Sequence, residues 1–134
     1  MFAVLYADNV ASPTPTAACA TADPAVTSLT SQLFKKRGGV DHYVITTVVT
    51  NVGPQSQTPD ISQRVELLRN GVVLAPQTLP ALGAGIAYTL AFAIDRPASE
   101  RSQPLTVTLR YELVSGDRKR NACDPANDEI TKTF

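Results

Sequence analysis

The chain has 134 residues, and its 12 Lys and Arg balance 12 Asp and Glu, so the formal net charge is zero. This length is most simply one domain, and the balanced charge gives no electrostatic footprint for nucleic acid or an anionic membrane. A single histidine, His42, excludes sites built from several histidines and leaves one residue as the possible base of a catalytic triad. Since His42 opens a strand pattern, a surface position is the preferred interpretation. Two basic clusters, Lys35-Lys36-Arg37 and Arg118-Lys119-Arg120, are predicted to be solvated loop charge.

Residues 1–22 are predicted to be an apolar segment followed by a linker. The stretch over 9–24 is rich in Pro, Thr, Ala and Ser, which is typical of a linker. The apolar run lacks the positively charged start of a signal peptide, and no stretch of the chain reaches the ~20 apolar residues of a membrane span. Three roles stay open for this run: a remnant of a signal peptide or of expression, an extra strand on its own domain, and a donor strand for the sheet edge of a neighbour. Its residues are Phe2, Ala3, Val4, Leu5 and Tyr6.

Residues 23–134 are predicted to form one domain of about seven β-strands. The first is a weak strand over 25–34, and the second, over 42–51, is almost wholly β-branched or aromatic. The alternation of the second strand predicts a core face with Tyr43, Ile45, Thr47 and Val49. The remaining strands are predicted over 63–69, 72–78, 86–95, 105–114 and 129–134.

Two turns punctuate these strands. Asn51, Gly53 and Pro54 end the second strand, where Asn51 is expected to cap the turn and Gly53 to supply a conformation closed to other residues. Asn70-Gly71 is the strongest short hairpin signal in the chain, because both central residues of a type I′ turn need positive φ.

The strand over 86–95 shows the clearest alternation. Its core face is predicted to carry Ile86, Tyr88, Leu90, Phe92 and Ile94. Its other face presents a flat row, Ala87, Ala91 and Ala93, which is either neutral β-surface or a packing surface for a neighbouring subunit. Strands of this kind, with turn signals about ten residues apart, predict an all-β, immunoglobulin-like antiparallel sandwich.

The two cysteines, Cys19 and Cys123, are too far apart in sequence for a C-x-x-C redox or zinc motif. In such a sandwich the first strand starts at the same end as the loop before the last strand, so the fold brings both cysteines to one pole. The leading prediction is a disulfide formed in an oxidising compartment. Two free thiols and an intermolecular link stay open.

The last loop crowds four oxygen-bearing side chains together: Asp124, Asn127, Asp128 and Glu129. The preferred prediction is an Asx-type turn, in which Asp124 and Asn127 bond nearby backbone N–H groups and steer the chain into the last strand. A weak calcium site is the alternative, although the spacing of an EF-hand is absent. Catalysis by a carboxylate pair is disfavoured, because a loop at the pole of a sandwich supplies no cleft.

Three stretches carry a family resemblance that covers residues 24–134. YVITTVVTNVGPQS (43–56) resembles the V-T-V-T-N-x-G segment of CARDB-type (cell-adhesion-related) domains and of bacterial surface repeats with Asn-x-Gly-Pro. RVELLRNGVVLAPQTLPALGAGIAYTLAF (64–92) is similar to the CARDB pattern of a hairpin followed by an alternating strand. LTVTLRYELV with CDPANDEITKTF resembles the last two strands and the D-x-x-x-N-N turn between them.

The resemblance implies a non-enzymatic spacer or adhesion module of a secreted or surface protein, with no cofactor. The expected partner is a protein, either a second copy or another surface protein, with a glycan as the alternative. A self-assembling subunit of a filament or particle coat, and a calcium- or carbohydrate-binding module, are the other functions considered. The chain departs from the pattern at Asp128, where these families usually have a second Asn, and at the basic run Arg118-Lys119-Arg120.

Overall fold

The structure, a computed structural model, describes residues 19–134. Its strands are β1 Pro24–Arg37, β2 Val40–Asn51, β3 Ser62–Arg69, β4 Val72–Thr78, β5 Ala87–Pro97, β6 Thr106–Ser115 and β7 Glu129–Thr133. The helical elements of this part of the chain are one turn of helix, α1 Arg118–Asn121, and two 3-10 turns, Ala98–Glu100 and Pro125–Asn127. None of them is long and apolar enough to cross a membrane.

The seven strands form two antiparallel sheets, one with the order β1-β2-β5 and one with the order β4-β3-β6-β7. The predicted all-β, immunoglobulin-like sandwich is therefore confirmed. The first strand is longer than the predicted 25–34, because Gly38 and Gly39 both have positive φ and close a tight turn. As a result β1 stays paired with β2 as far as Arg37.

Inward-facing residues of the two sheets make one core. β2 buries Tyr43, Ile45, Thr47 and Val49, and β5 buries Leu90, Phe92 and Ile94, as the alternation predicts. Ile86 and Tyr88, which were also predicted to face the core, are exposed. The reason is that Leu79 and Leu82, from the segment before β5, occupy the core at this end.

The sandwich has two poles. Cys19, Asn51 and Cys123 lie at the first, which we call the cysteine pole. The Gly38-Gly39 turn and Phe134 lie at the second, the hairpin pole, where the backbones of Phe134 and Leu105 exchange two hydrogen bonds. Both β1 and β7 run from the cysteine pole to the hairpin pole.

One side chain bridges the two sheets on each side of the sandwich, and we call these two places the seams. On one side, Lys132 Nζ of β7 donates to the Leu29 carbonyl of β1 at 3.1 Å. On the other side, Gln77 Nε2 of β4 donates to the Ala91 carbonyl of β5 at 2.6 Å. These contacts occupy acceptors that an edge strand otherwise offers to another chain.

Candidate functional site

The cysteine pole is held by a covalent bond. Cys19 and Cys123 form a disulfide, with a Cα–Cα distance of 5.7 Å and a sequence separation of 104. Backbone bonds support it, since Ala22 N donates to Arg120 O at 3.3 Å and Cys123 N donates to Ala22 O at 3.4 Å. Thus the last residues of the predicted linker, residues 19–22, are joined to the segment between β6 and β7.

Asp23 is the most buried carboxyl group at this pole, with 3% exposure. Its Oδ1 accepts from Asp124 N at 3.3 Å, and its Oδ2 accepts from Asn127 Nδ2 at 2.8 Å. Burial raises the pKa of Asp23, although these two hydrogen bonds act in the opposite direction. Asp23 does not stand out in the sequence, because the residues that its side chain contacts follow it by about a hundred positions.

Asp124 begins the 3-10 turn over Pro125–Asn127. Its Oδ1 accepts from Ala126 N at 2.9 Å, which is the local geometry of an Asx turn. The side chain of Asn127 does not bond the nearby backbone as we expected. It reaches Asp23 instead, because the start of β1 passes beside the loop.

Asp128 is paired with one cation, through its Oδ2 and Arg118 Nη2 at 2.5 Å. Burial raises the pKa of Asp128 to about 6 despite this pair, and the charges of Asp23 and Asp124 add to the effect. Glu129, by contrast, is exposed at the start of β7. Of the four residues considered for an Asx turn or, as the alternative, a weak calcium site, therefore, three lie around Asp23 and the fourth faces solvent.

Two oxygen atoms at this pole have unused hydrogen-bonding capacity. Asn127 Oδ1 and Asp128 Oδ1 are buried and have no hydrogen-bond partner within residues 19–134. Carboxylate and amide oxygens suit a hard cation, and a buried carboxylate also favours a proton. The two sulfur atoms near Asp23 are joined to each other and so are not thiolate ligands.

Asn51 anchors the turn after β2. Its Oδ1 accepts from Asp23 N at 2.9 Å and from Gly53 N at 3.0 Å, and its Nδ2 donates to Leu82 O at 3.1 Å. Gly53 is required for a different reason from the one predicted. Its φ is not positive, but an added Cβ would lie 2.0 Å from Thr21 O.

The other predicted turn residues lie at exposed positions. Pro54 sits in an exposed bend after Gly53. Asn70 and Gly71 have φ of 53° and 79°, the conformation that a type I′ hairpin turn needs.

A buried amide cluster links the loops behind this pole. The side chains of Gln57 and Gln63 exchange two hydrogen bonds of 2.8 Å, and Tyr111 donates to Gln63. Gln57 also donates to Asn121 O at 2.9 Å and accepts from Leu82 N at 2.8 Å. Neither glutamine stands out in the sequence, because polar residues next to predicted turns are usually solvated.

The hairpin pole contains an ion pair whose carboxylate is buried and whose arginine is exposed. Asp41 has no exposed surface, and Arg101 donates to both of its oxygens, at 2.7 and 2.8 Å. The hydrogen bonds from Arg101 lower the pKa of Asp41. Nearby, the Arg96 guanidinium lies 5.3 Å from the centre of the Tyr43 ring.

The outer face of the β1-β2-β5 sheet has an open depression of about 400 Å³ near this pole. Phe34, 71% exposed, stands on its edge because a β-bulge leaves it without a partner in β2. Val44 and Ala93 form its apolar floor, and His42 Nδ1 is hydrogen-bonded to Asp95 Oδ1 at 2.6 Å at its end. We call this feature the Phe34 pocket.

The residues considered for assembly are divided between two regions. Ala87, Ala91 and Ala93 are exposed on β5, which is an edge strand of its sheet. Ala93 also belongs to the Phe34 pocket. The apolar run from Phe2 to Tyr6 lies outside the described residues.

Comparison with known proteins identifies the fold. No family model matches the chain, and no curated protein matches it. A domain of a protein described as a cell surface protein, from Methanosarcina acetivorans, is similar in structure, with a TM-score of 0.59, 21% identity, and coverage of 84% of this chain and 90% of that domain.

A CARDB domain from Pyrococcus furiosus is similar as well, in two structures. Its crystal structure in complex with di-metal ions has a TM-score of 0.58 and 17% identity, and covers 85% of this chain and 92% of that domain. Its solution structure has a TM-score of 0.51 and 18% identity, with coverage of 83% and 93%. At these identities the likeness concerns the fold, and the fold of this chain is that of a CARDB-type β-sandwich.

Proposed function

We propose that this chain is a non-enzymatic extracellular module of a secreted or surface protein, with a structural or adhesive role. The observation that carries the proposal is the Cys19–Cys123 disulfide within a CARDB-type fold. Structural disulfides persist in oxidising compartments such as the cell exterior. The similarity to a domain of a protein described as a cell surface protein supports the same location.

The ion pairs and hydrogen bonds of the ionisable side chains support a non-enzymatic role without a cofactor. Asp41 is bound to Arg101, Glu66 to Arg110, and Glu112 to Arg64, so these carboxylates are engaged in structural contacts. The single histidine is hydrogen-bonded to Asp95 on an open sheet face. A general base needs a substrate position within hydrogen-bond reach, and enclosed pockets usually supply it.

The test follows a tagged full-length chain in the cell that produces it. We expect the tag to be in the medium, or accessible to an external protease on intact cells. Both cysteines should resist alkylation until a reductant is added. A cytosolic chain with two alkylatable thiols would contradict the proposal.

The Phe34 pocket favours a protein as the partner over a glycan. Lys35 and Arg37 line its rim, and neither forms an ion pair within the described part of the chain. Its floor is apolar, and His42 is already engaged with Asp95, so few groups remain free to bond sugar hydroxyls. An apolar side chain flanked by carboxylates would complement this surface.

Replacing Phe34 tests this surface. Phe34→Ala should weaken binding of a short synthetic peptide with one central phenylalanine between aspartates by about tenfold or more. Phe134→Ala is the matched control, because Phe134 is also exposed and lies 5.9 Å from a lysine ammonium. An equal loss of peptide affinity in both variants would rule out a protein partner at this surface. Binding of polygalacturonate in place of the peptide would rule it out as well.

A divalent cation at the cysteine pole is a second candidate. It is favoured by the two buried oxygens without a partner, Asn127 Oδ1 and Asp128 Oδ1, and by the di-metal ions bound to the Pyrococcus domain. Calcium should then raise the melting temperature, and Asp124→Asn with Asp128→Asn should remove the rise. An unchanged melting temperature in the unmodified protein would eliminate this candidate.

The filament or coat alternative has less support. It depends on residues 2–6, which lie outside the described residues, and on an open sheet edge for them to pair with. Lys132 and Gln77 occupy carbonyl groups on two of the edge strands, and Pro76 lies within a third. A monomer at high concentration, measured by light scattering on the full-length chain, would remove this alternative.

A further inference from the structure

The path of the chain through the sandwich determines how the domain would carry tension. The described part begins at the cysteine pole and, after seven strands, ends at Phe134 in the hairpin pole. Force applied to the chain before Cys19 and after Phe134 therefore stretches the domain along its strands. A spacer or adhesion module that is attached through both ends of this chain would be pulled in this way.

The disulfide gives this force a covalent route. From Cys19 it passes directly to Cys123 and then along residues 124–134. The sequence separation of 104 means that 104 − 1 = 103 residues lie between the two cysteines, and these residues are not part of the route. They include β1 to β6, the whole sandwich apart from its last strand.

The remaining route is short, and its last part, β7, is already extended. Residues 124–134 number 134 − 123 = 11, and β7 makes up five of them. β7 pairs with β6 from Glu129 to Thr133 and lies along the direction of force, so its hydrogen bonds are loaded together and not one at a time. Full extension of these residues yields at most about 40 Å of chain, at ~3.6 Å per residue.

We infer that the Cys19–Cys123 disulfide carries tension past the sandwich and makes this domain an almost inextensible spacer. This inference rests on the proposed function, since the route matters only in a protein that is pulled. It gives the disulfide a role beyond thermodynamic stability, because the limit on extension holds even when the sandwich unfolds. Reduction would convert the same domain into an extensible one.

Single-molecule force spectroscopy tests the inference on the purified full-length chain with handles at its two ends. Oxidised protein should gain at most about 40 Å between Cys19 and Phe134, whereas reduced protein should gain about 400 Å, from 134 − 19 = 115 residues at ~3.6 Å each. Cys19→Ser with Cys123→Ser should behave like the reduced protein. An increment of about 400 Å in the oxidised protein would overturn the inference.

A second attachment point makes the test independent of how well the cysteine variant folds. With one handle at the N-terminus and the other at Val72, an exposed residue at the start of β4, the disulfide no longer bypasses the sandwich. The shorter arm then has 123 − 72 = 51 residues, so oxidised protein should extend by up to about 180 Å. If this attachment also yields no more than about 40 Å, the rigidity does not come from the bypass and the inference is wrong.

These measurements separate the inference from the proposed function. Force spectroscopy on purified protein reports the route of tension, whatever the location of the protein in the cell. The protease and alkylation experiment reports the location alone. An inextensible domain found in the cytosol would leave the route correct and the proposed function wrong.

Discussion

Asp128 is the residue at which charge and burial conflict most clearly. Its side chain is 13% exposed, and Arg118 is the cation paired with it. Asp23 and Asp124 both raise its pKa through their charges, and burial is the largest cause of the value of about 6. An asparagine at this position would avoid this conflict, because an amide carries no charge.

The pKa of Asp128 leads to a prediction about pH. The folded-state pKa of about 6 exceeds the ordinary 3.8, so the folded protein holds this proton more tightly than the unfolded chain. The contribution of Asp128 to stability is therefore fully present below pH 3.8 and is lost as the pH rises through about 6. We expect Asp128→Asn to raise the free energy of unfolding at pH 7 by about 1–2 kcal/mol, after allowance for the lost pair with Arg118.

Urea denaturation at several pH values between 4 and 7 measures this effect. Asp60→Asn is the matched control, because Asp60 is exposed and the change in net charge is the same. Stability curves of the wild type and Asp128→Asn that run parallel across this range would contradict the prediction.

Asn51 is the second residue with a large expected effect. Its Oδ1 serves two backbone N–H groups, those of Asp23 and Gly53, in a buried position. Asn51→Ala leaves both donors without this acceptor, so we expect a loss of about 2–4 kcal/mol in the free energy of unfolding. A loss below about 0.5 kcal/mol in chemical denaturation would show that other groups or water replace it.

At the scale of elements, the side-chain contacts at the two seams explain how the sandwich limits pairing of its edge strands with another chain. Lys132 and Gln77 each place a polar head on a carbonyl group of the neighbouring sheet. Because β1 and β5 are edge strands, these carbonyl groups would otherwise be available to another chain. Two bulges in β1 limit regular pairing further.

Removing the seam contacts should promote association more than unfolding. For Gln77→Ala and Lys132→Ala we expect a loss of about 0.5–1.5 kcal/mol each in unfolding free energy. Light scattering should also show association that grows with concentration. Gln32→Ala is the control for Gln77, since Gln32 is exposed on β1. If the control associates to the same extent, the seam contacts are not what limits edge pairing.

For the whole molecule, the disulfide is expected to make a large contribution to stability. It closes a loop with a separation of 104 residues, which the chain-entropy model values at about 4–5 kcal/mol. The variant with Cys19→Ser and Cys123→Ser should lose most of this free energy of unfolding. Reduction of the wild type should lower its melting temperature to about that of the variant. A melting temperature insensitive to reductant would contradict the prediction.

The sequence by itself determined the class of fold. Alternation of apolar and polar residues is a local property, and it identified the buried face of β2 and the buried Leu90, Phe92 and Ile94 of β5, because side chains of a strand point to opposite faces in turn. Asn70-Gly71 located a hairpin for an equally local reason, since its residues tolerate positive φ. The order of the strands then brought Cys19 and Cys123 to one pole.

The tertiary structure alone decided which distant groups meet. Nothing local in the sequence marks Asp23 as the partner of Asn127, or Asp41 as the partner of Arg101. Ile86 became exposed because leucines of the preceding segment filled the core, an outcome of competition for space that alternation does not encode. Periodicity reports which face a residue prefers, whereas partners and burial depend on the packing of segments that are far apart in the chain.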